Sequence, residues 1–504
     1  MKDIQTNLNV KSTLNQYNNS NVTQVKDTMQ QQNLNLRDFQ LEFSPFSFIA
    51  LNEGIISKQI NEHSTARVKG IIHQSNVQKY LDMSIQREHF PFSITAVTDG
   101  DERITVFLGV TTIVEIGQVG QVATMTISAK SGSYLMDIKK RFRSFQDPAT
   151  THSEVLSLLG EPYADYNYLL KAGREKVMDF PLAQFIVQYR ETDWAFAKRL
   201  ASRLNTALVP ADTFPGTRFY FGVPHLERYV LDDSVDYQIV MDSELSDQKT
   251  QQGLQGVSEA DALCYIIESR DIYALGDLIQ LQELPLYVDR IATVLSGQEF
   301  MHTYYLRPQV GLRVPQFYND KLIGASLDGQ VLAVQRDKVQ VQITGDENAE
   351  QNIRQWFPFA TPYSSPDGTG WFAMPERGDQ VRLYIPDREE AQAVAFNSLH
   401  VASEARTNPD IKSMRNKFGK EIRFTPNTLV MTNNAGMEIS LIDSEGIRIE
   451  SDKAIFIKAA GSIDISSGAG LSMLADDSVV VQRGGTSLVV DDNIAFVGGK
   501  LKMQ

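Results

Sequence analysis

The sequence predicts a mainly β protein with some α in its N-terminal half, ending in a triple-stranded β-helix that three copies of the chain build together. Three observations lead there: an apolar repeat of eight residues from Ile439 onward, period-two alternation through much of the remaining chain, and an interlude of helical period between Ser131 and Asn205.

The repeat comes first because it is the most specific. Ile439, Ile447, Ile455, Ile463, Leu471 and Val479 fall eight apart, and their companions two residues on are Leu441, Ile449, Ile457, Ile465, Met473 and Val481. Positions i and i+2 share a face of a strand. A period of eight means strand, turn, strand, each segment turning the same two residues inward. The small residues Gly446, Ala454, Ser462, Gly470 and Ser478 precede the pairs and suit corners. A single-chain β-helix with three faces uses about 18 residues per turn, so eight cannot encircle a core. Three chains supply about 24, and a homotrimeric prism is the simplest closure. The competing expectation is a set of antiparallel hairpins, which calls for Asn-Gly or Asp-Gly turns and a covering layer. After Val481 the spacing slips: Leu488, Val490, Ile494 and Phe496 are the candidate tip and cap-contact residues.

Residues 1–36 are about one-third Asn and Gln and too poor in apolar side chains for a core, so they read as a flexible arm. Residues 37–320 form the next region. Ile104, Val106, Leu108 and Val110 alternate, as do Ala123, Met125, Ile127 and Ala129, with Asp99-Gly100-Asp101 a turn. Glu154–Leu159 and Asp193–Leu204 read as helices. In the second, Phe196, Leu200 and Leu204 form a stripe, Thr192 is the N-cap candidate, and Lys198, Arg199 and Arg203 are expected in solvent. A further helix is expected around Glu259–Ile267. Residues 321–400 offer five short strand candidates, including Val339–Ile343, Trp371–Met374 and Val381–Ile385, which fit a small closed barrel of the OB-fold type, with Trp371 and Phe372 in its core. Residues 401–420 read as a linker and 421–504 as the needle.

Chemistry is sought and not found in the motifs. The net charge of −14, and an acidic excess between Asp328 and Leu399, speak against nucleic-acid binding. The single cysteine, Cys264, lies in an apolar run and reads as an inert buried thiol. Seven histidines are scattered without ligand spacing, so neither a metal nor a cofactor is expected. The nucleophile-elbow, zinc-protease and phosphate-loop motifs are absent, and the acids Asp99, Asp101, Glu389 and Glu390 read as solvated turn residues. No apolar run reaches the ~20 residues of a membrane span, and the N-terminus lacks the apolar core of a secretory signal. Folding in the cytoplasm is therefore expected.

Three segments carry a family resemblance. Leu135–Asp147, with Arg143-Ser144-Phe145-Gln146-Asp147, Gln188–Phe196, with Gln188-Tyr189 and Glu191-Thr192-Asp193, and Pro375–Val381 between Gly370-Trp371-Phe372 and Asn397-Ser398-Leu399, stand in the order found in VgrG proteins of type VI secretion and the related hub and spike proteins of contractile phage tails. The chain resembles that family from about residue 37 onward. The resemblance implies two related β-barrels in the hub, an OB-fold collar and a needle. It also implies a non-enzymatic homotrimer that meets an inner tube protein, baseplate proteins, effectors and a PAAR-type tip protein, and that touches a target-cell membrane only on firing. It implies assembly in the cytoplasm followed by residence in the injection particle. A phage or tailocin baseplate hub is the alternative within this class; an OB-fold binding module or spike-associated hydrolase is the alternative outside it.

Overall fold

The computed structural model describes residues 39–86, 89–98, 100–170, 178–224, 226–232, 234–256, 258–296, 299–348, 352–398, 406–490 and 494–497. The expected arm of residues 1–36, Asp99, His225 and His400 lie outside them. The chain divides into two compact units at Leu399/His400.

The first unit begins with β1 (Phe39–Ser44), β2 (Ala50–Gln59), β3 (Thr65–Ile72), α1 (Val77–Gln86), β4 (Pro91–Thr98), β5 (Arg103–Val119) and β6 (Val122–Ser131). An insertion of β7 (Lys140–Phe145), α2 (His152–Gly160), β8 (Ile186–Thr192) and α3 (Asp193–Arg203) follows. Both helices start where side chains can satisfy free backbone N–H groups: Thr151 and Glu154 make a reciprocal capping box on α2, and the Thr192 hydroxyl accepts from Ala195 N on α3. The chain then returns to the sheet with β9 (Tyr237–Met241), β10 (Leu263–Ser269), β11 (Leu284–Ser296) and β12 (Glu299–Arg307).

These strands form one sheet in the order β1-β4-β5-β6-β3-β2-β11-β12-β10-β9, each neighbour antiparallel to the next. Its apolar side carries two cores. Ile56, Val68, Phe92, Ile94, Ile127 and Ala129 belong to the first; Tyr265, Ile267, Ile291, Tyr304 and Leu306 belong to the second. The register Ile56↔Thr293 and Lys58↔Ile291 across β2 and β11 puts both on the same side. The expected helix at Glu259–Ile267 is a short 3₁₀ turn, Glu259–Ala262, running into β10. Pairing on both sides of β10 and burial of Tyr265 and Ile267 outweigh local propensity there.

A five-stranded barrel follows: β13 (Ala325–Gln335), β14 (Lys338–Ile343), β15 (Phe357–Pro358), β16 (Gln380–Ile385) and β17 (Val394–Ser398), in the order β15-β14-β13-β16-β17. A bridge between Phe359 and Ala395, with Ala360 N donating to Ala395 O at 2.8 Å, closes it. Its core of Leu327, Val331, Val339, Val341, Phe357 and Leu383 also takes in Phe185 and Val187 from the insertion. Trp371–Met374, expected as a strand with Trp371 and Phe372 inside, is instead a loop on which these rings are 61% and 78% exposed. Phe357–Pro358 supplies the remaining strand. The loop is held by Trp371 N donating to Tyr363 O, and Gly370 adopts φ 144°, where a side chain would run into Tyr363 O.

The second unit contains a meander of β18 (Lys412–Arg415), β19 (Glu421–Thr425), β20 (Thr428–Thr432), β21 (Met437–Ile442) and β22 (Gly446–Ser451), each strand antiparallel to the next. Lys412–Arg415, expected in the linker, is thus a strand. A second meander joins β23 (Val479–Arg483), β24 (Thr486–Val490) and β25 (Ile494–Val497).

Candidate functional site

Alternation in β18–β22 sorts the side chains into two faces. Met414, Ile422, Phe424, Leu429, Met431, Ile439, Leu441, Ile447 and Ile449 are in cross-strand register on one face. The opposite face carries Arg423, Thr428, Thr432, Glu438, Ser440, Arg448 and Glu450. Burial is inverted relative to polarity: Ser440 is buried, whereas Ile447 is 74% exposed. A continuous apolar sheet face open to solvent marks an interaction site.

The octad residues extend this pattern. The first two octads form a hairpin, Ile439 opposite Ile449 and Leu441 opposite Ile447, with Gly446 at φ 107° leaving the turn. Here the hairpin expectation, rather than the prism, describes the local pairing. The next three octads differ: residues 453–478 pair with no strand of the same chain, and Ile455, Ile457, Ile463, Ile465, Leu471 and Met473 are all exposed. Their backbone groups are left to water or to another chain. Beyond them, the slipped spacing has a simple cause. Gly484-Gly485 reverses the chain, so Val479 faces Val490 and Val481 faces Leu488; Val490 then pairs with Ile494 and Leu488 with Phe496. The last octad and the four candidate tip positions thus lie in two cross-strand rows.

A second site lies within the first unit, where β7 pairs with β8 and brings two of the family-like segments together. Asp193, fully buried, accepts from Arg143 Nη1 at 2.7 Å, Gln188 Nε2 at 2.8 Å and Tyr163 OH at 2.6 Å. Asp346, on the loop after β14, accepts from Ser144 N at 2.9 Å and from the Ser144 hydroxyl. Burial pushes the Asp346 carboxyl up, while its bonds to Ser144 and Asn348 draw it down. Arg141 reaches Glu347 at 3.0 Å.

The strongest tie is Arg199, which donates to both carboxylate oxygens of Glu191, to Glu390 at 2.5 Å and to Val187 O at 2.8 Å. Burial alone would lower its pKa, but Glu191 and Glu390 raise it, so the guanidinium stays charged. This corrects two expectations: Arg199 and Glu390 are 4% and 3% exposed, not solvated, and Arg203 is largely covered too. A helical wheel contained the signal, since Arg199 lies only about 60° around the helix from Phe196. Lys198, on the other side, is the outward residue and pairs with Glu62 at 3.1 Å. The whole network fastens the insertion to the barrel.

One cluster resembles a nucleophilic triad. Ser133 Oγ lies 2.9 Å from His63 Nδ1, and His63 Nε2 lies 3.5 Å from Asp137. Ser133 is wholly buried, its hydroxyl is also shared with Ser131 at 2.9 Å, and His63 stacks on Trp194, so a substrate carbonyl has no approach. Cys264 is buried, and burial raises its thiol pKa, against thiolate chemistry. Among the described residues no His, Cys, Asp and Glu grouping suits a metal, and no helix is long and apolar enough to cross a membrane.

No protein-family profile and no curated protein matches the sequence. Solved structures match the fold. The E. coli c3393 protein, described as a component of the type VI secretion system with structural similarity to the T4 bacteriophage tail proteins gp27 and gp5, superposes with a TM-score of 0.50 at 10% identity, over 72% of this chain and 100% of that one. A chain of the Francisella PdpA-VgrG complex, half-lidded, gives 0.53 at 9% identity over 82% and 87%. The lidless complex gives 0.50 at 9% identity over 79% and 93%. The chain has the fold of VgrG-like hub-and-spike proteins.

Proposed function

We propose that the protein is the homotrimeric hub and needle of a contractile, phage-tail-like injection machine, joining the inner tube to the tip that pierces a target membrane. The observation that carries this is the run of octads at 453–478, whose apolar rows are exposed and whose backbone finds no strand partner in its own chain. Three such chains would bury the rows against one another and pair the backbones, which answers both deficits at once. The open apolar face of β18–β22 supports the same association. In this reading residues 37–320 supply two related barrels to the hub, and the five-stranded barrel is an OB-fold collar rigidly joined to the hub by the Arg199 and Asp193 networks. The tube and baseplate proteins are the expected partners at the hub, a PAAR-type protein at the tip, and effectors the cargo. Assembly takes place in the cytoplasm, and the work is mechanical; the sealed Ser133 supports a protein without turnover. Light scattering on the purified chain tests the core of the proposal: a particle of three times 56.5 kDa is expected, and a stable folded monomer would overturn it.

A further inference from the structure

The hub sheet has two ends, and they match. At one end β1 pairs only with β4; at the other β9 pairs only with β10, and no described strand adds to either outer side. The ten strands of the path alternate in direction throughout, so β1 and β9 run oppositely. The apolar side of the sheet also continues to both ends. Leu41 and Phe43 of β1 register with Ala96 and Ile94 of the first core, and Tyr237 and Ile239 of β9 register with Ile267 and Tyr265 of the second.

At β9 this row is unfinished. Ile267 is buried, yet Tyr237, Ile239 and Met241 beside it are 42%, 49% and 50% exposed. The strand reads Tyr-Gln-Ile-Val-Met, with none of the charges, prolines or bulges by which proteins protect an edge. Both edges border open clefts, about 600 Å³ beside Leu41–Leu51 and about 760 Å³ beside Val235–Gln238.

We infer that β1 of one copy adds to β9 of the next copy in the assembled hub, joining the sheets edge to edge. Parity and facing both fit. An even number of alternating strands makes the seam antiparallel like every other pair on the path. The apolar rows of the two ends then fall on one side, where Leu41 and Phe43 cover Ile239 and its neighbours. Because the contact joins two different patches, repeating it generates a closed ring or an open fibre, not a two-fold dimer. Closure at three rests on the octad reading of the needle.

Cysteine pairs test the seam in the full-length chain. In a Cys264→Ser background, Gln40→Cys or Glu42→Cys on the exposed side of β1 is combined with Gln238→Cys or Val240→Cys on the same side of β9. The four combinations sample registers two residues apart. Mild oxidation is expected to shift at least one double variant from the 56.5 kDa band to bands at two and three times that mass, while each single variant stays monomeric on a denaturing gel. A light-scattering trimer in which no double variant links would overturn the seam and leave the needle-based trimer standing. Linking by Val240→Cys alone would show β9 pairing with itself, which also overturns it. A monomer in solution would remove the trimer itself.

Discussion

Replacing Arg199 by Met tests whether the buried ionic joint fastens the insertion to the barrel. The guanidinium is 4% exposed and bridges two carboxylates that are themselves buried, Glu191 at 8% and Glu390 at 3%. Met keeps much of the packing volume and leaves both carboxylates without their main partner; Arg203 lies at 4.0 Å from Glu390 and compensates in part. Removing one member of a buried pair costs about 3–5 kcal/mol, chiefly through the stranded charge. With two acids stranded and one partly relieved, a loss of about 4 kcal/mol follows. Urea unfolding followed by the fluorescence of Trp194, on the same helix, reads it, with hydrogen exchange of α3 and β8 locating the opening. Arg199→Met combined with Glu191→Gln and Glu390→Gln should recover most of the loss, because neutral amides are cheaper to bury than unpaired charges. Lys198→Met, which disrupts only an exposed pair, should change stability by less than about 1 kcal/mol. A loss under about 1 kcal/mol for Arg199→Met would refute the reasoning that this pair holds two buried charges in place.

Other outcomes follow from the same geometry. Ile455→Asp or Ile457→Asp would place three carboxylates at one level of the trimer interior, at a cost of several kcal/mol per trimer, so the needle should lose protease resistance while the first unit stays folded; Lys458→Asp, on the outward side of the alternation, should do little. Asp277 is buried, and desolvation raises its pKa from 3.8 to about 6, partly offset by bonds from Ala274 N and Glu227 N. The folded protein therefore holds that proton more tightly than the unfolded chain. The resulting stabilisation, about 3 kcal/mol, is full below about pH 4 and lost as the pH rises through 6. Melting temperatures measured from pH 4 to 7 should show this slope in the wild type and a flatter profile in Asp277→Asn. Deleting residues 488–504 removes the partners of Val479 and Val481 and should leave a soluble trimer that no longer retains a PAAR-type tip protein in a pull-down; full retention would argue against the tip assignment.

What could be read from the chain alone was what local periodicity encodes. The octads were legible because side-chain direction in a strand depends only on the parity of the residue number, and the helix starts at Thr192 and Glu154 because capping is settled within one turn. The five short strands gave a barrel, although Trp371–Met374 mimicked a strand without being one. Tertiary structure decided the rest, because the partners are remote: Arg199 meets Glu390 across 191 positions, and Ser144 meets Asp346 across 202. Polarity alone assigned those charged residues to solvent, and only the folded chain shows them buried in pairs. The same holds for the reversal at Gly484-Gly485, which turns an irregular spacing into two aligned rows. It holds also for the ends of the hub sheet, since a strand's sequence does not say whether its second edge will find a neighbour in its own chain.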